Sequence, residues 1–340
     1  MTIVAVDTGG TFTDLVASTA QAFIRIKVPS TPASPETAIL SALELLHKKH
    51  GVRPSKLIHG TTVGTNALLE KKGARVVLIT NEGFEDILYL RRQNRPELYA
   101  LHPEVPSPLV AREFTLGIQG RLGARGIEVE PLANLEQWAQ EHTPILEAAE
   151  AFAISFLHSY ANPAHEKAVA SFLRARFPAT PITTSSKIVP LSREYERTQT
   201  AVANSFITPT IRSYLQRLEK LAPVDEIAIM GSAGGCLTLE KTAKAPILTA
   251  LSGPAGGLLG ARAIGDRAGK TKLLSFDMGG TSTDIAVIDG GIHPEDEGSV
   301  GDINLRTPLL KIETIGAGGG SIAAIDDGGL LHVGPESAGA

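Results

Sequence analysis

Cysteine is almost absent from this 340-residue chain, with Cys236 as its sole representative. One thiol cannot close an internal disulfide, so a reducing compartment, the cytoplasm, is expected. No activating residue neighbours Cys236 in sequence, and it reads as buried filler rather than a nucleophile. Aromatic residues make up 5% of the sequence, too few for the stacking platforms that grip single-stranded nucleic acid. The net charge is −4 and no long run of one sign occurs, so neither a nucleic acid nor a membrane surface is expected as partner. No stretch of 18 apolar residues exists to form a spanning helix. The apolar start, Met1 to Val6, is short and lacks a basic flank; it reads as a buried strand, not a signal peptide. A zinc set is missing too, since nothing completes the pair His47 and His50 beside Lys48 and Lys49. What remains is ordinary globular composition, 43% hydrophobic and 20% charged, with length for two or three domains.

Against these absences stands a repetition. Asp7-Thr8-Gly9-Gly10-Thr11-Phe12-Thr13-Asp14 and Asp277-Met278-Gly279-Gly280-Thr281-Ser282-Thr283-Asp284 agree at six of eight positions. Each follows a β-branched or apolar run, residues 2–6 and 272–276, and precedes another, 15–17 and 285–288. That pattern predicts a strand, a glycine turn and a returning strand. Third strands are expected at 22–27 and near 291–293. Between the repeats the periods alternate. Helices are expected at 35–50, 63–71, 132–142, 163–177, 192–221 (broken at Pro209) and 256–268, the last opened by Ser252-Gly253-Pro254-Ala255. Strands are expected at 56–59, 75–80, 151–156, 181–184, 226–230 and 311–315, with a hairpin over 322–326 and 330–333. Residues 101–108 read as loop. Strands alternating with helices give an α/β class.

A Gly-Gly-Thr turn frees backbone N–H groups from the ladder, and glycine lets them converge, because no side chain stands in the way. Such a nest attracts an anion such as phosphate. The threonine hydroxyls would add donors. The bracketing aspartates would repel phosphate unless a Mg²⁺ ion, with retained waters, sits between them. Two nests would then hold opposite sides of one polyphosphate; a single such turn would be only a hairpin. Rival nucleotide signatures fail. Gly265 to Thr271 is one residue short of a P-loop and precedes a strand. Gly316-Ala317-Gly318 lacks the third glycine of a dinucleotide fingerprint, since residue 321 is serine. No Gly-x-Ser-x-Gly elbow occurs.

The paired turns resemble the two phosphate motifs of the actin/sugar-kinase/Hsp70 ATPase superfamily. Together with HGTTVGTNALLE, REYERT, LSGPAGG and IGAGGGSIA, they identify the chain as similar to the hydantoinase/oxoprolinase A family. The resemblance spans nearly the whole chain and keeps the family order. It implies two ribonuclease-H-like domains around an ATP cleft, here residues 1–190 and 191–340. Family A subunits are roughly twice as long, so the second domain is expected to be incomplete. Asp7, Asp14, Asp277 and Asp284 would be the catalytic carboxylates, with Asp7 and Asp277 on Mg²⁺. ATP contacts would come from Thr8, Gly9, Gly10, Thr11 and Thr13, from Gly279, Gly280, Thr281 and Thr283, and from Gly316, Gly318, Gly319 and Gly320. The implied chemistry is ATP-driven opening of a small cyclic amide such as a hydantoin, 5-oxoproline or another lactam, beside a B-type subunit. Transfer of the γ-phosphoryl to the amide oxygen makes a poor electrophile attackable, and such transfer needs positioning and charge stabilisation above all.

Other positions stay open between two uses. His59, Thr61, Thr62 and Asn66 sit where a strand meets a helix and could hold a carbonyl or phosphate oxygen, or simply cap the helix. Arg91, Arg92 and Gln93 precede a proline-rich loop; Arg92 and Gln93 are the candidates for an anionic substrate and Arg91 for exposed surface. Arg193 and Arg197 lie four apart and would pair with Glu194 or Glu196 in their own helix. Two further functions are carried along: a non-catalytic or regulatory nucleotide-binding module, or an ATP-dependent component like that of acetone carboxylase. A sugar kinase is a weaker third.

Overall fold

The computed structural model describes residues 2–19, 22–31, 33–94, 98–102, 105–280 and 282–338. Its first strands, β1 (Ile3–Thr8), β2 (Phe12–Ser18) and β3 (Phe23–Pro29), form an antiparallel meander. Val4, Val6 and Thr8 on β1, and Thr13, Leu15 and Ala17 on β2, are buried in alternation, as in a sheet with one core face. In helix α1 (Pro35–His50), Pro35 presets the first turn, and left-handed Gly51 closes the last by donating its N–H to the His47 carbonyl. Ile39, Ala42, Leu43 and Leu46 make its buried stripe. Strand β4 (Lys56–Thr61) lies parallel to β1, and α2 (Val63–Leu69) leaves from its end.

A parallel unit follows, built of β5 (Val76–Asn81), β6 (Thr115–Ile118), β7 (Ala151–Ser155) and β8 (Ile182–Thr184) in the order β8-β7-β5-β6. Every residue of β5 and β7 is buried: helices α3 (Leu135–Glu141) and α4 (Ala164–Arg176) pack Trp138, Ala139, Val169 and Leu173 against one face, and on the other Val76, Leu78, Ala151 and Ala153 join the main core. A single turn, α5 (Ser185–Ile188), follows β8. The long helix α6 (Glu194–Leu221) then returns the chain to the first sheet. There β9 (Glu226–Met230) pairs parallel with β4, and β10 (Cys236–Thr238) turns back on β9. The six-stranded order is β10-β9-β4-β1-β2-β3. Three antiparallel strands flanked by parallel ones are the expected ribonuclease-H-like arrangement, and strands from both sides of residue 190 share this sheet. After α7 (Leu239–Lys244), helix α8 (Ser252–Arg267) leads to β11 (Lys272–Met278), β12 (Thr283–Asp289) and β13 (Glu313–Ile315). These three repeat the β1–β2–β3 meander. The hairpin β14 (Ser321–Ile325) and β15 (Leu331–Ser337) falls where it is expected.

Four expectations need correction. The third strand of the second meander is β13, not 291–293, which makes only one bridge, Asp289 to Gly291. The chain first detours so that Val300, Ile303, Leu305 and Leu309 join the main core. Helix α6 continues through Pro209. Its residues 195–208 are all buried, and that packing outweighs one missing N–H. Helix α8 begins at Ser252, four residues early, because Pro254 in the first turn removes an N–H that has no helical partner anyway. Cys236 is exposed, on the edge strand β10.

Candidate functional site

The eight-residue repeat has a direct geometric result. In each meander its first and last aspartates stand opposite one another, Asp7 against Asp14 and Asp277 against Asp284. Like charges in opposed positions weaken a sheet, so stability alone does not account for them. The second aspartate of each pair is tied to the third strand: Lys27 Nζ lies 3.0 Å from Asp14, and Thr314 Oγ1 donates to Asp284 at 2.6 Å. Asp7 and Asp277 accept no hydrogen bond and meet no cation among the described residues.

Helix α8 brings these two free carboxylates together. A methyl group at Gly253 would stand 3.4 Å from Asp7 Oδ1, and one at Gly257 3.7 Å from Asp277 Oδ2. Positions four apart share a helical face, about 6 Å apart along the axis. On the other side, a methyl at Gly60 would come within 2.9 Å of Asp7 Oδ1. Ser252 Oγ fixes the start of α8 to β4, accepting from Thr61 N at 3.3 Å and donating to Thr61 O at 3.1 Å. Asp7 keeps solvent contact along the cleft, yet protein surrounds it in depth. That burial raises its pKa above the ordinary value, and the charges of Asp14 and Asp277 raise it further. Asp277, 270 positions away in sequence, thus acts on Asp7. A cavity of about 600 Å³ adjoins the second turn, walled by Asp277, Asp284, Pro254, Gly257 and Phe276. Carboxylates that crowd one another without a counter-charge suit a hard cation such as Mg²⁺. No group of three or more His, Cys, Asp or Glu residues able to hold a metal occurs among the described residues.

The turns are held from behind. Ser30, just past β3, donates its N–H to Thr11 O at 2.9 Å and its hydroxyl to Gly9 O at 2.7 Å. In the second turn, Gly319 N–H donates to Gly279 O at 2.9 Å and Gly320 N–H to Gly280 O at 2.8 Å. With the Gly9 and Thr11 carbonyls clamped, Gly10 and Thr11 keep N–H groups that find no acceptor among the described residues. Ser30 escapes notice in the sequence because it lies outside both repeats.

Several expected contacts change role. The N–H groups of Gly318, Gly319 and Gly320 are used internally, Gly318 donating to Ser321 Oγ at 2.8 Å, so these residues support the turn rather than offer free donors. Gly316 belongs to the same support, its carbonyl packed against Gly334. Thr8, Thr13 and Thr283 are buried. Thr13 bonds Ser30 Oγ at 3.0 Å, Thr283 donates to Ala317 O at 2.6 Å, and the Thr8 hydroxyl has no partner among the described residues. Alternation along each strand turns them to the core face, opposite the aspartates. Thr11, Gly10 and Gly279 are exposed at the turns. Thr281 lies outside the described residues.

His59 is fully buried. Tyr214 O–H donates to Nε2 at 2.5 Å, and Nδ1 lies 3.2 Å from Val6 O. Burial lowers its pKa to about 4, the Val6 bond only partly opposing this. It is a neutral strut beneath β1, not a substrate ligand. Thr62 Oγ1 donates to Thr8 O at 3.0 Å, and Thr61 Oγ1 accepts from Val63 N at 3.2 Å, so both serve local structure. Asn66 is exposed on α2. Arg92 makes two 2.6 Å bonds to Glu196, and Gln93 Nε2 donates to Leu90 O at 3.0 Å. These two line a separate cleft of about 520 Å³ with Arg91, Tyr195 and Asp302. Arg193 and Arg197 do not pair within α6. Arg193 reaches Glu297 at 3.3 Å. Arg197 is buried, donating to Ser159, to Ser185 and to Phe156 O, with Glu166 at 3.9 Å.

Comparison with known proteins agrees with this architecture. Residues 3–177 match the hydantoinase/oxoprolinase N-terminal region, and 197–340 match the hydantoinase/oxoprolinase domain. The alpha subunit of a caprolactamase from Pseudomonas jessenii is 33% identical over 98% of this chain and 50% of its own length. The 5-oxoprolinase PfmaA of Pestalotiopsis fici is 33% identical over 99% of this chain and 29% of its own. Among solved structures, the ATP-dependent caprolactamase from P. jessenii superposes with a TM-score of 0.86 at 31% identity. Nucleotide-free acetone carboxylase superposes with 0.85 at 28%. Each covers 99% of this chain, which in turn covers 51% of either structure. The chain spans about half the length of the caprolactamase subunit and under a third of the oxoprolinase. With both of its halves matched in order, the chain belongs to the hydantoinase/oxoprolinase family.

Proposed function

We propose that this chain binds Mg·ATP between its two aspartate turns and directs the γ-phosphoryl group to the carbonyl oxygen of a small cyclic amide. The observation that carries the reading is the convergence of Asp7 and Asp277 on one glycine face of α8, both without partners among the described residues. The clamped turns would present the N–H groups of Gly10 and Thr11 to phosphate oxygens, and Gly280 would do the same opposite, while the Gly9 and Gly279 N–H groups close their own turns on Phe12 O and Ser282 O. Asp7 and Asp277 would hold the Mg²⁺ ion. When bound, that ion neutralises charge between phosphate oxygens and carboxylates. Asp14 and Asp284, each fixed by its third strand, would orient the ion's waters or the attacking oxygen.

In the reaction, the amide oxygen attacks the γ-phosphorus and ADP leaves. Water then adds to the activated carbon and the C–N bond opens, the ring nitrogen taking a proton, which leaves an acyl phosphate; a second water attacks its carbonyl carbon, and phosphate departs with the former carbonyl oxygen. Names of relatives that are caprolactamases and oxoprolinases support a lactam as substrate. A B-type partner chain is proposed to carry the ring-opening step. The likeness to an enzyme of ATP-dependent acetone carboxylation favours a second reading, in which the same carbonyl activation precedes carboxylation.

Oxygen labelling tests the proposal. Lactams carrying ¹⁸O in the carbonyl group, caprolactam and 5-oxoproline among them, are incubated with the chain, a B-type partner chain and Mg·ATP. Phosphate that acquires the label supports phosphoryl transfer to the amide oxygen. Turnover of ATP with unlabelled phosphate, while the labelled ring opens, would exclude it.

A further inference from the structure

A second concave site lies away from the aspartate cleft and shares no residue with it. It is a cavity of about 670 Å³ where the parallel unit meets the six-stranded sheet. That volume is typical of a small-molecule site, and such sites favour junctions between units. Four helices contribute its cations: Arg174 from α4, Lys187 from α5, Arg212 from α6, and Lys241 and Lys244 from α7. The single carboxylate in its lining, Glu240, is already engaged by Lys244. Among the described residues, the other four cations have no carboxylate within ion-pair distance. This happens in a chain whose net charge is −4, so the cluster runs against the overall balance.

Arg212 is the most telling of the five. It is half-buried, and its one hydrogen bond runs from Nε to the neutral Ala243 carbonyl at 2.9 Å. Loss of solvent lowers its pKa, with no nearby negative charge to offset the effect. A half-buried guanidinium without a counter-ion is costly unless something anionic completes it. Thr183 lines the same cavity, 6% exposed, accepting from Asn204 Nδ2 at 2.9 Å. Its own O–H has no acceptor among the described residues and remains available.

We propose that this cavity is a second ligand site, for a small molecule bearing two or more phosphoryl groups. Arg212 and Thr183 would hold one group at the base, and Lys187 and Lys241 the other at the rim. The site stands independently of the reaction proposed above. A ligand there would bridge the parallel unit and the main sheet, and so couple their relative position to its concentration.

Inorganic pyrophosphate is the probe. In magnesium-free buffer the aspartate turns repel it, so titration calorimetry on the full chain reads the basic cavity alone. One saturable site is expected in the parent and in Asp277→Ala. In Lys187→Gln/Lys241→Gln, whose exposed side chains are dispensable for folding, affinity is expected to fall at least about tenfold with the unfolding temperature unchanged. Arg212→Gln should behave alike if it folds. No saturable binding by the parent at millimolar probe overturns the proposal. So does parent-like binding by the double variant, or loss of binding in Asp277→Ala.

Discussion

Asp7 is where stability and function oppose one another. Its raised pKa means that the folded state holds the proton more tightly than the unfolded chain does. The charged form therefore weakens the fold at neutral pH, and that penalty is relieved as pH falls through the raised pKa. Asp7→Asn should raise the melting temperature of the nucleotide-free protein and abolish its stabilisation by Mg·ATP; thermal scans with and without nucleotide check both. His59 has the opposite sign. Its folded pKa of about 4 lies below the ordinary 6.5, so stability is complete above 6.5 and drains away as pH falls toward 4. The loss amounts to ~3 kcal/mol, and His59→Asn should flatten the pH dependence of denaturant unfolding over that window. Ser30 is the residue whose role had no sequence signal. Ser30→Ala should cost about 1 kcal/mol of stability and weaken Mg·ATP binding by roughly tenfold, since the turn loses the clamp on Gly9 O. Ser30→Thr, which keeps the hydroxyl, should restore most of the binding.

Among the elements, α8 gives the sharpest contrast. Gly260 has open space where a methyl would go, whereas a methyl at Gly253 would touch Asp7. Gly260→Ala should therefore stabilise the protein by ~0.5–1 kcal/mol through helix propensity, with binding unchanged. Gly253→Ala gains the same propensity but narrows the cleft, so its calorimetric affinity for Mg·ATP should drop. LSGPAGG was legible as a helix start, yet its function was not. Two glycines four apart mean little until the strands that meet them are known. Most strands and helices were readable from period and punctuation. The exceptions, the pairing of β13 as third strand of the second meander and the unbroken α6, were decided by distant packing that local patterns do not contain. The same limit applies to His59 and Arg197, which look like surface chemistry in sequence and prove to be buried struts.

For the whole molecule, the repeated turn was the most informative feature of the sequence, because symmetry implies a shared object. The pairing of Asp7 with Asp14 and Asp277 with Asp284 follows from the spacing alone. Their meeting across α8 depends on the full path of the chain through the inserted parallel unit and back. No helix among the described residues is long and apolar enough to cross a membrane. Two distant copies of one motif are thus proposed to share one nucleotide, with Asp7 and Asp277 both against the glycine face of α8. Calorimetric titration of Mg·ATP into the parent chain and into Asp277→Ala tests this most directly. One nucleotide is expected per parent chain, with affinity at least about tenfold weaker in the variant although the first turn is untouched. Equal binding by the two proteins would contradict it, because the first turn would then hold nucleotide without the second.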